Sequence, residues 1–190
     1  DGSHGTVIID PDEDTLLKYR ASEERFKSYS KRLEELRQLP SQTQDGIAIT
    51  LCGNIEFPEE SVTAAQRGAE GIGLYRTEFL YIDRATQPTE DEQYELYRAV
   101  LEAVAPRPVV LRTFDLGGDK FASSFRLPAE MNPALGLRAV RLALSQPEVF
   151  KTQLRAMVRA SVHGNLRIMI PMVASLRELR EARRLLAEAT

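Results

Sequence analysis

Two short segments of the sequence place an arginine, a threonine and an acid directly after an apolar run. The first is Arg76-Thr77-Glu78, which follows residues 72–75, and the second is residues 112–115, Arg-Thr-Phe-Asp. An arginine side chain can donate two parallel hydrogen bonds, an arrangement that matches the oxygens of phosphate or carboxylate. In parallel α/β sheets and barrels, ligands bind where the buried strands end. We therefore predict that Arg76 and Arg112 bind one small anion.

The same two segments allow a second interpretation. Each arginine can form an ion pair with the acid of its own segment, Arg76 with Glu78 and Arg112 with Asp115. Both charges would then serve only to stabilise the ends of the strands. The residue pattern by itself leaves the two interpretations open.

Two later segments add weaker support for an anion site. Residues 116–120, Leu-Gly-Gly-Asp-Lys, predict a flexible loop of a kind that can surround a phosphate. Arg138 follows Asn132-Pro133, which predicts the start of a helix, and the N-terminus of a helix is a favourable place for an anion. Arg138 is therefore a third candidate, although an ordinary surface arginine on a helix is the simpler interpretation of this segment taken alone.

The other residues that commonly take part in catalysis are poor candidates. His4 lies between Ser3 and Gly5 near the first residue, and His163 precedes Gly164, which predicts the end of a helix. Cys52 lies in an apolar predicted strand, which favours a place in the core. We find no His, Cys and carboxylate residues with metal-ligand spacing, and no Ser/His/Asp set that the spacing supports.

The apolar pattern predicts strands that alternate with helices after residue 46. The predicted strands are 47–52, 72–76, 108–112 and 166–173, and the predicted helices cover 59–67, 89–105, a segment from 132, 145–163 and a segment from 175. Capping boxes are predicted at Thr89 with Glu92, Ser145 with Glu148 and Ser175 with Glu178. This alternation indicates an α/β fold with a parallel sheet of four βα units. Four units make either half of a (β/α)8 barrel or a small open sheet.

The first 45 residues have a different character. Residues 7–9 predict a short strand, and the strongly charged residues 15–38 predict one long helix that Asp14 or Thr15 would cap. Tyr19, Phe26 and Leu33 are spaced seven apart, which predicts a narrow apolar seam on that helix. The helix is either a coupling or dimerising element or a plain amphipathic linker. The polar residues 40–46 predict the boundary between the two parts of the chain.

Composition excludes several classes of function. The chain has 190 residues, of which 43% are hydrophobic, a net charge of −3 and one cysteine. The absence of a basic stripe argues against nucleic acid as a partner. No apolar run approaches the roughly 20 residues of a membrane span. A single cysteine permits no disulfide within the chain, so a reducing, cytoplasmic setting is the default expectation.

Four ordered motifs resemble the phosphoenolpyruvate-binding domain of enzyme I of the bacterial sugar phosphotransferase system. They are residues 71–81 (Gly-Ile-Gly-Leu-Tyr-Arg-Thr-Glu-Phe-Leu-Tyr), 111–120 (Leu-Arg-Thr-Phe-Asp-Leu-Gly-Gly-Asp-Lys), 132–138 (Asn-Pro-Ala-Leu-Gly-Leu-Arg) and 166–172 (Leu-Arg-Ile-Met-Ile-Pro-Met). The resemblance covers essentially the whole chain. It implies that residues 1–14 end a phosphohistidine domain, residues 15–45 form a linker helix and loop, and residues 46–190 form the N-terminal half of a TIM barrel.

The resemblance also implies a function and a site. Members of the family are phosphotransferases that bind phosphoenolpyruvate and magnesium, form homodimers and pass the phosphoryl group to a histidine and then to a phosphocarrier protein in sugar uptake. Arg76 and Arg112 match arginines that hold the phosphate of phosphoenolpyruvate, and Arg138 matches a further arginine of that site. Such roles fit phosphoryl transfer, which depends on positioning and charge neutralisation.

Several parts of the family pattern are missing from this sequence. The phosphorylated histidine belongs to a Thr-Ser-His motif that would lie upstream, and His4 does not match it. The magnesium ligands and the catalytic cysteine would lie on later strands, and Cys52 does not match that cysteine. We therefore expect that the chain alone does not turn over, and that a half-barrel with open edges either self-associates or belongs to a longer protein.

Two other functions remain open on the sequence. One is a non-catalytic, dimerising half-barrel module that keeps a weak anion site. The other is a piece of an enzyme similar to pyruvate phosphate dikinase or phosphoenolpyruvate synthase, families that share a looser version of the same motifs.

Overall fold

The computed structural model describes residue 5 and residues 7–37, 39–82, 84–116 and 135–190. The chain divides into two compact units, Asp1–Ala48 and Ile49–Thr190. All three candidate arginines belong to the second unit. None of the helices in the described ranges combines the length and the apolar character that a membrane span requires.

The first unit consists mainly of one long helix, α1 (Glu13–Leu36). The carboxylate of Asp12 caps it by accepting a 2.8 Å hydrogen bond from the backbone N–H of Thr15. The predicted caps, Asp14 and Thr15, are therefore wrong, because the chain is already helical at both residues. No residue of α1 is buried, and Phe26 and Leu33 of the apolar seam are exposed.

The short strand predicted at residues 7–9 is also wrong. Val7 is 86% exposed and Ile9 is 88% exposed, and no strand is formed there. Apolar β-formers make a strand only when a neighbouring strand supplies hydrogen-bond partners. Within the described part of this unit the one β-bridge joins Gln42 to Ala48 and leaves these residues unpaired.

The second unit contains a four-stranded parallel sheet whose strands follow the order of the chain, β1-β2-β3-β4. The strands are β1 (Gly53–Ile55), β2 (Ile72–Tyr75), β3 (Pro108–Arg112) and β4 (Asn165–Met169). β4 ends earlier than predicted, since Pro171 has no backbone N–H to continue the ladder. The predicted α/β class and parallel sheet are confirmed.

The first strand lies later in the sequence than predicted. Residues 47–52 alternate in polarity, but pairing with the four-residue strand β2 begins only at Gly53, whose N–H donates to the carbonyl of Gly71 at 2.9 Å. Cys52 is consequently exposed, and its predicted place in the core is wrong. Alternation identified residues able to form a strand, but the register with β2 begins only after them, at Gly53 with Ile72.

In the described part of the second unit, five α-helices accompany the sheet: α2 (Glu60–Gln66), α3 (Glu90–Val104), α4 (Ala139–Ser145), α5 (Pro147–Ala160) and α6 (Leu176–Ala189). The capping boxes at Thr89 and Ser175 are confirmed. The one predicted at Ser145 is wrong, because the Ser145 hydroxyl donates to Leu142 at the end of α4 and Pro147 opens α5. α4 begins at Ala139; the predicted start at Asn132-Pro133 lies outside the described residues.

The helices form a layer on one face of the sheet. α2, α3, α5 and α6 contact one another in that order, as expected when each crossover to the next parallel strand is right-handed. In β3, Val109 and Leu111 are buried, whereas Val110 and Arg112 are half-buried. Phe150, Leu154 and Met157 of α5 are buried, whereas Val62 of α2 and Leu179 of α6 are exposed.

Close backbone approach at Gly71 gives the first testable prediction. A Cβ atom there would lie 2.5 Å from the carbonyl oxygen of Pro108, which cannot move without shifting β3. We expect Gly71→Ala to lower the free energy of unfolding by about 1–3 kcal/mol, the usual cost of overpacking. Gly164→Ala is the control, since its Cβ would meet the side chain of Leu101 at 3.3 Å. Equal stabilities of the two variants in urea would contradict the prediction.

The contact between α3 and α5 gives a pH prediction. Glu90 accepts hydrogen bonds from Arg155 at 2.7 Å and from Arg159 at 2.6 Å. These bonds, first that from Arg155 and then that from Arg159, hold the pKa of Glu90 below its ordinary value of 4.5. A carboxylate whose pKa is lowered by folding stabilises the protein above its unfolded pKa, and the stabilisation disappears as the pH falls through the folded pKa.

We therefore expect Glu90→Gln to lower the Tm at about pH 6–7, and we expect this difference to shrink as the pH falls below 4.5, the ordinary pKa of the carboxyl group. Glu95→Gln is the control, because Glu95 pairs only with Arg98 of its own helix. Thermal melts across this pH range measure the difference. A Tm difference that grows as the pH falls would have the wrong sign.

Candidate functional site

Arg76 and Arg112 leave the same edge of the sheet side by side. Tyr75 pairs with Leu111 in the β2–β3 register, and the next residue of each strand is the arginine. The N–H of Arg76 still donates to Ile55 at 3.0 Å, so the ladder continues to this point. Tyr75 and Leu111 are buried. Because successive side chains of a strand alternate between faces, both arginine positions face away from the helix layer.

Arg112 is held by an acid of the segment that follows the neighbouring strand, β2. Its Nη2 lies 2.9 Å from Oε1 of Glu78, and only 15% and 5% of the two side chains are exposed. The acid of its own segment, Asp115, is farther away, with 3.8 Å between Nη1 and Oδ2. The closest acid to Arg112 is therefore Glu78, and Asp115, which the ion-pair interpretation assigned to Arg112, makes the longer contact.

Arg76 likewise pairs with an acid that follows the preceding strand. Its Nη2 lies 2.9 Å from Oε2 of Glu56, the residue that directly follows β1. The predicted partner Glu78 pairs with Arg112 instead. This pair is much more open than the Glu78 pair, with 39% of the Arg76 side chain and 36% of the Glu56 side chain exposed.

Arg138 joins the same cluster through Asp115. Its Nε and Nη2 donate to Oδ1 of Asp115 at 3.0 and 2.9 Å, and the backbone N–H of Asp115 donates to Glu78 at 2.8 Å. A continuous chain of contacts thus runs from Arg138 through Asp115 and Glu78 to Arg112. Arg138 is the N-cap residue of α4 and makes no side-chain cap. The predicted loop at residues 117–120 lies outside the described residues, as does His4.

Buried polar atoms without a partner mark the same edge. The Nε atoms of Arg76 and Arg112 and the hydroxyl of Thr113 are buried and have no hydrogen-bond partner among the described residues. A buried donor without an acceptor is unfavourable. The oxygens of a bound anion are acceptors of the kind that the two guanidinium groups lack.

A neutral hydrogen-bond network, which the sequence analysis missed, lies beneath the charged cluster. Gln153 of α5 is fully buried and contacts Thr77, Tyr97 and the backbone of Phe114. Burial raises the pKa of Tyr97, so its phenol stays protonated. One signal for Gln153 was present: it is a polar residue on the face of α5 that Phe150, Leu154 and Met157 make apolar.

The described residues do not form a site for the magnesium ion that the resemblance implies. A divalent cation of this kind needs several oxygen ligands. Among the described residues no group of three His, Cys, Asp or Glu side chains is placed to hold a metal ion. Two acids of the arginine cluster, Glu78 and Asp115, already form ion pairs with arginines.

His163 and Cys52 lie at the opposite edge of the sheet. Cys52 precedes β1 and His163 precedes β4, whereas Arg76 follows β2 and Arg112 is the last residue of β3. His163 contacts the Tyr94 hydroxyl at 3.0 Å and Glu102 at 3.1 Å. Neither residue joins the arginine cluster.

The two acid–arginine pairs differ in burial, and this difference gives a prediction. Glu78→Gln removes the charge opposite a nearly buried guanidinium, whereas Glu56→Gln removes it from a pair that is more than one-third exposed. We expect Glu78→Gln to cost about 1.5–3 kcal/mol of unfolding free energy and Glu56→Gln less than about 1 kcal/mol. Denaturant titration of both variants tests the order. A larger loss of unfolding free energy in Glu56→Gln than in Glu78→Gln would show that the charge of Glu78 does not stabilise the arginine cluster.

The comparisons with known proteins agree with one another. The model of the family described as PEP-utilising enzyme, PEP-binding domain, matches residues 30–190. Over 188 residues the chain is 52% identical to the phosphoenolpyruvate-protein phosphotransferase of Staphylococcus epidermidis, 50% identical to that of Staphylococcus carnosus and 49% identical to that of Bacillus sp. (strain S).

These alignments take in 99% of this chain but only 32–33% of each relative. The chain therefore spans about a third of the length of the curated relatives that it matches. The family model nevertheless matches residues 30–190, which is most of the chain. The relatives share the name phosphoenolpyruvate-protein phosphotransferase, which agrees with that family. The chain belongs to the family of PEP-utilising enzymes, within their PEP-binding domain.

Proposed function

We propose that the chain is the phosphoenolpyruvate-binding part of a phosphoenolpyruvate-protein phosphotransferase, in which Arg76 and Arg112 hold the phosphate group. One observation carries the proposal: the two arginines directly follow the paired residues Tyr75 and Leu111, and each keeps a buried Nε without a partner among the described residues. Family membership supports phosphoenolpyruvate as the ligand.

The acids of the cluster prepare the arginines for this role. One nitrogen of each guanidinium group, Nη2, is held by Glu56 or Glu78. A held side chain loses less rotamer freedom when a ligand binds, which lowers the cost of binding. Phosphoryl transfer is catalysed mainly by positioning and by neutralising charge on the phosphoryl oxygens, and two fixed guanidinium groups supply both.

Arg138 has a more indirect role in the proposal. Its Nε and Nη2 are both taken by Asp115, which leaves Nη1 as the donor for a ligand. We assign it to the phosphoenolpyruvate site as a third arginine whose pair with Asp115 also holds the far end of the cluster.

The proposal extends to the architecture. The sequential strand order, the single helix layer and the half-buried opposite face of β3 all fit half of a (β/α)8 barrel, in which that face would point toward the barrel axis. Residues 46–190 are then the N-terminal half of the barrel, residues 15–45 the linker helix and loop, and residues 1–14 the end of a phosphohistidine domain.

The activity of the whole protein follows from the same resemblance. The phosphoryl group of phosphoenolpyruvate passes to a histidine and then to a phosphocarrier protein for sugar uptake, in a cytoplasmic homodimer that uses magnesium. Among the described residues no group of acids is placed to hold that metal. In this proposal the described residues therefore contribute the binding of the phosphate group. The similarity to proteins named phosphoenolpyruvate-protein phosphotransferase favours this function over that of a dikinase or synthase.

Titration with phosphoenolpyruvate tests the proposal and separates it from a non-catalytic module. We expect Arg76→Ala and Arg112→Ala each to weaken binding to the full-length protein by about 1–3 kcal/mol, the value of a charged hydrogen bond. Arg112→Lys keeps a charge opposite Glu78 but loses the fork, so it separates loss of binding from loss of stability. Arg184→Ala is the control, because Arg184 is exposed on α6 and pairs with Glu181 of the same helix.

Isothermal titration calorimetry with and without magnesium gives the affinities. Unchanged affinity in both Arg76→Ala and Arg112→Ala would remove these residues from the site. Failure of the unmodified protein to bind phosphoenolpyruvate would overturn the function itself.

A further inference from the structure

The buried amide group of Gln153 makes three hydrogen bonds, two of them to residues close to the candidate arginines. Its Oε1 accepts from the N–H of Phe114 at 3.0 Å, and its Nε2 donates to the hydroxyls of Thr77 at 3.1 Å and Tyr97 at 3.2 Å. The side chain is fully buried. It therefore joins α5 to the ends of two strands at once.

The contacts of Gln153 flank the two candidate arginines. Thr77 follows Arg76 directly, and its hydroxyl donates to the carbonyl oxygen of Arg112 at 2.9 Å. Phe114 lies two residues after Arg112. Gln153 thus fixes the backbone next to Arg76 and, through Thr77, the backbone of Arg112 itself.

The chemistry of the partners sets the direction of these bonds. The N–H of Phe114 can only donate, so Oε1 of Gln153 must face it. The carbonyl of Arg112 can only accept, so the Thr77 hydroxyl must donate to it and accept from Nε2 of Gln153. The phenol of Tyr97 accepts from Nε2 and donates to Gln93 at 3.1 Å. No other amide orientation satisfies every member.

A buried amide is an expensive way to fill this space. An apolar side chain of similar size would avoid the cost of desolvating a polar group. It would also remove the acceptor that Gln153 offers to the Phe114 N–H, which lies beyond the ladder bond from Thr113 to Met169. What the amide adds over an apolar residue is three directed contacts, and directed contacts fix the backbone from which a binding side chain projects.

We propose that Gln153 is a positioning residue of the anion site: it holds the ends of β2 and β3 in the arrangement that lets Arg76 and Arg112 act on one ligand. The inference rests on the proposed function for its ligand, phosphoenolpyruvate. Gln153 itself acts through Thr77 and the backbone and does not contact the ligand.

The network contains its own matched control. Gln93 is 1% exposed, and it accepts from the hydroxyls of Tyr81 and Tyr97 and donates to the carbonyl of Pro88. None of these contacts reaches the arginine segments. Gln153→Met and Gln93→Met therefore remove the same amide from the same buried network, but only the first removes the link to the site.

We expect Gln153→Met to weaken phosphoenolpyruvate binding by the full-length protein about tenfold or more, since small displacements of a binding group are costly. Gln93→Met should change the affinity less than about twofold at a similar loss of Tm. Thr77→Val, which removes one hydroxyl and keeps the shape of the side chain, serves if Gln153→Met does not fold, and should weaken binding in the same direction. Equal losses of affinity in the Gln153 and Gln93 variants would show a merely structural role and overturn the inference.

A second readout does not depend on the ligand. The Nε–H resonance of Arg112 in a ¹⁵N-labelled protein, assigned by its loss in Arg112→Lys, should shift in Gln153→Met and stay in place in Gln93→Met. If the unmodified protein does not bind phosphoenolpyruvate, the proposed function fails while this resonance still decides the role of Gln153. An unchanged resonance in Gln153→Met would overturn it.

Discussion

The carboxylate of Glu78 holds the ends of two strands in one arrangement. A charge in so buried a position costs several kcal/mol unless it is paired and hydrogen-bonded. Its Oε1 meets both needs, because it faces the Arg112 guanidinium at 2.9 Å and accepts the backbone N–H of Asp115 at 2.8 Å. Asp115 in turn holds Arg138. Each candidate arginine therefore depends on an acid from another segment, and none is placed by its own segment alone.

Hydrogen bonds and packing contacts beneath the charged cluster stabilise this arrangement. The strands are short, and β2 has only four residues, so their ladders alone fix the ends poorly. The network around Gln153 and Thr77 adds directed contacts from α5, and Glu90 with Arg155 joins α5 to α3. The close approach of Gly71 to Pro108 sets how tightly β2 and β3 can pack. Helix packing is thereby connected to the positions of the arginines.

The arrangement of paired and unpaired guanidinium nitrogens in the cluster suits a ligand that carries several negative charges. Acids occupy one nitrogen of each guanidinium group and keep it in position, and the unpartnered Nε atoms of Arg76 and Arg112 remain to be satisfied. Arg76 is the more open of the two, and Arg112 is the more firmly held. A site with one accessible and one fixed arginine can admit an anion and then orient it, which is what the phosphate of phosphoenolpyruvate would require in the proposed function.

The sequence by itself determined the α/β class, the parallel sheet, two of three capping boxes and the presence of arginines at two strand ends. These follow from local pattern, because polarity periods and capping residues act within one element. It also carried enough motif to indicate the family, which the comparisons confirm.

Only the tertiary structure decided which residues meet across elements. The sequence placed the first strand at residues 47–52, but pairing with β2 takes place at Gly53–Ile55, and Cys52 is exposed. One interpretation of the sequence paired each arginine with the acid of its own segment, whereas the structure brings each arginine closest to the acid that follows the preceding strand. Gln153, 76 residues from Thr77 along the chain, could be recognised as a polar residue on an apolar helix face but not connected to its partner. Contacts between distant segments depend on register and packing, which the local pattern of a single sequence does not contain.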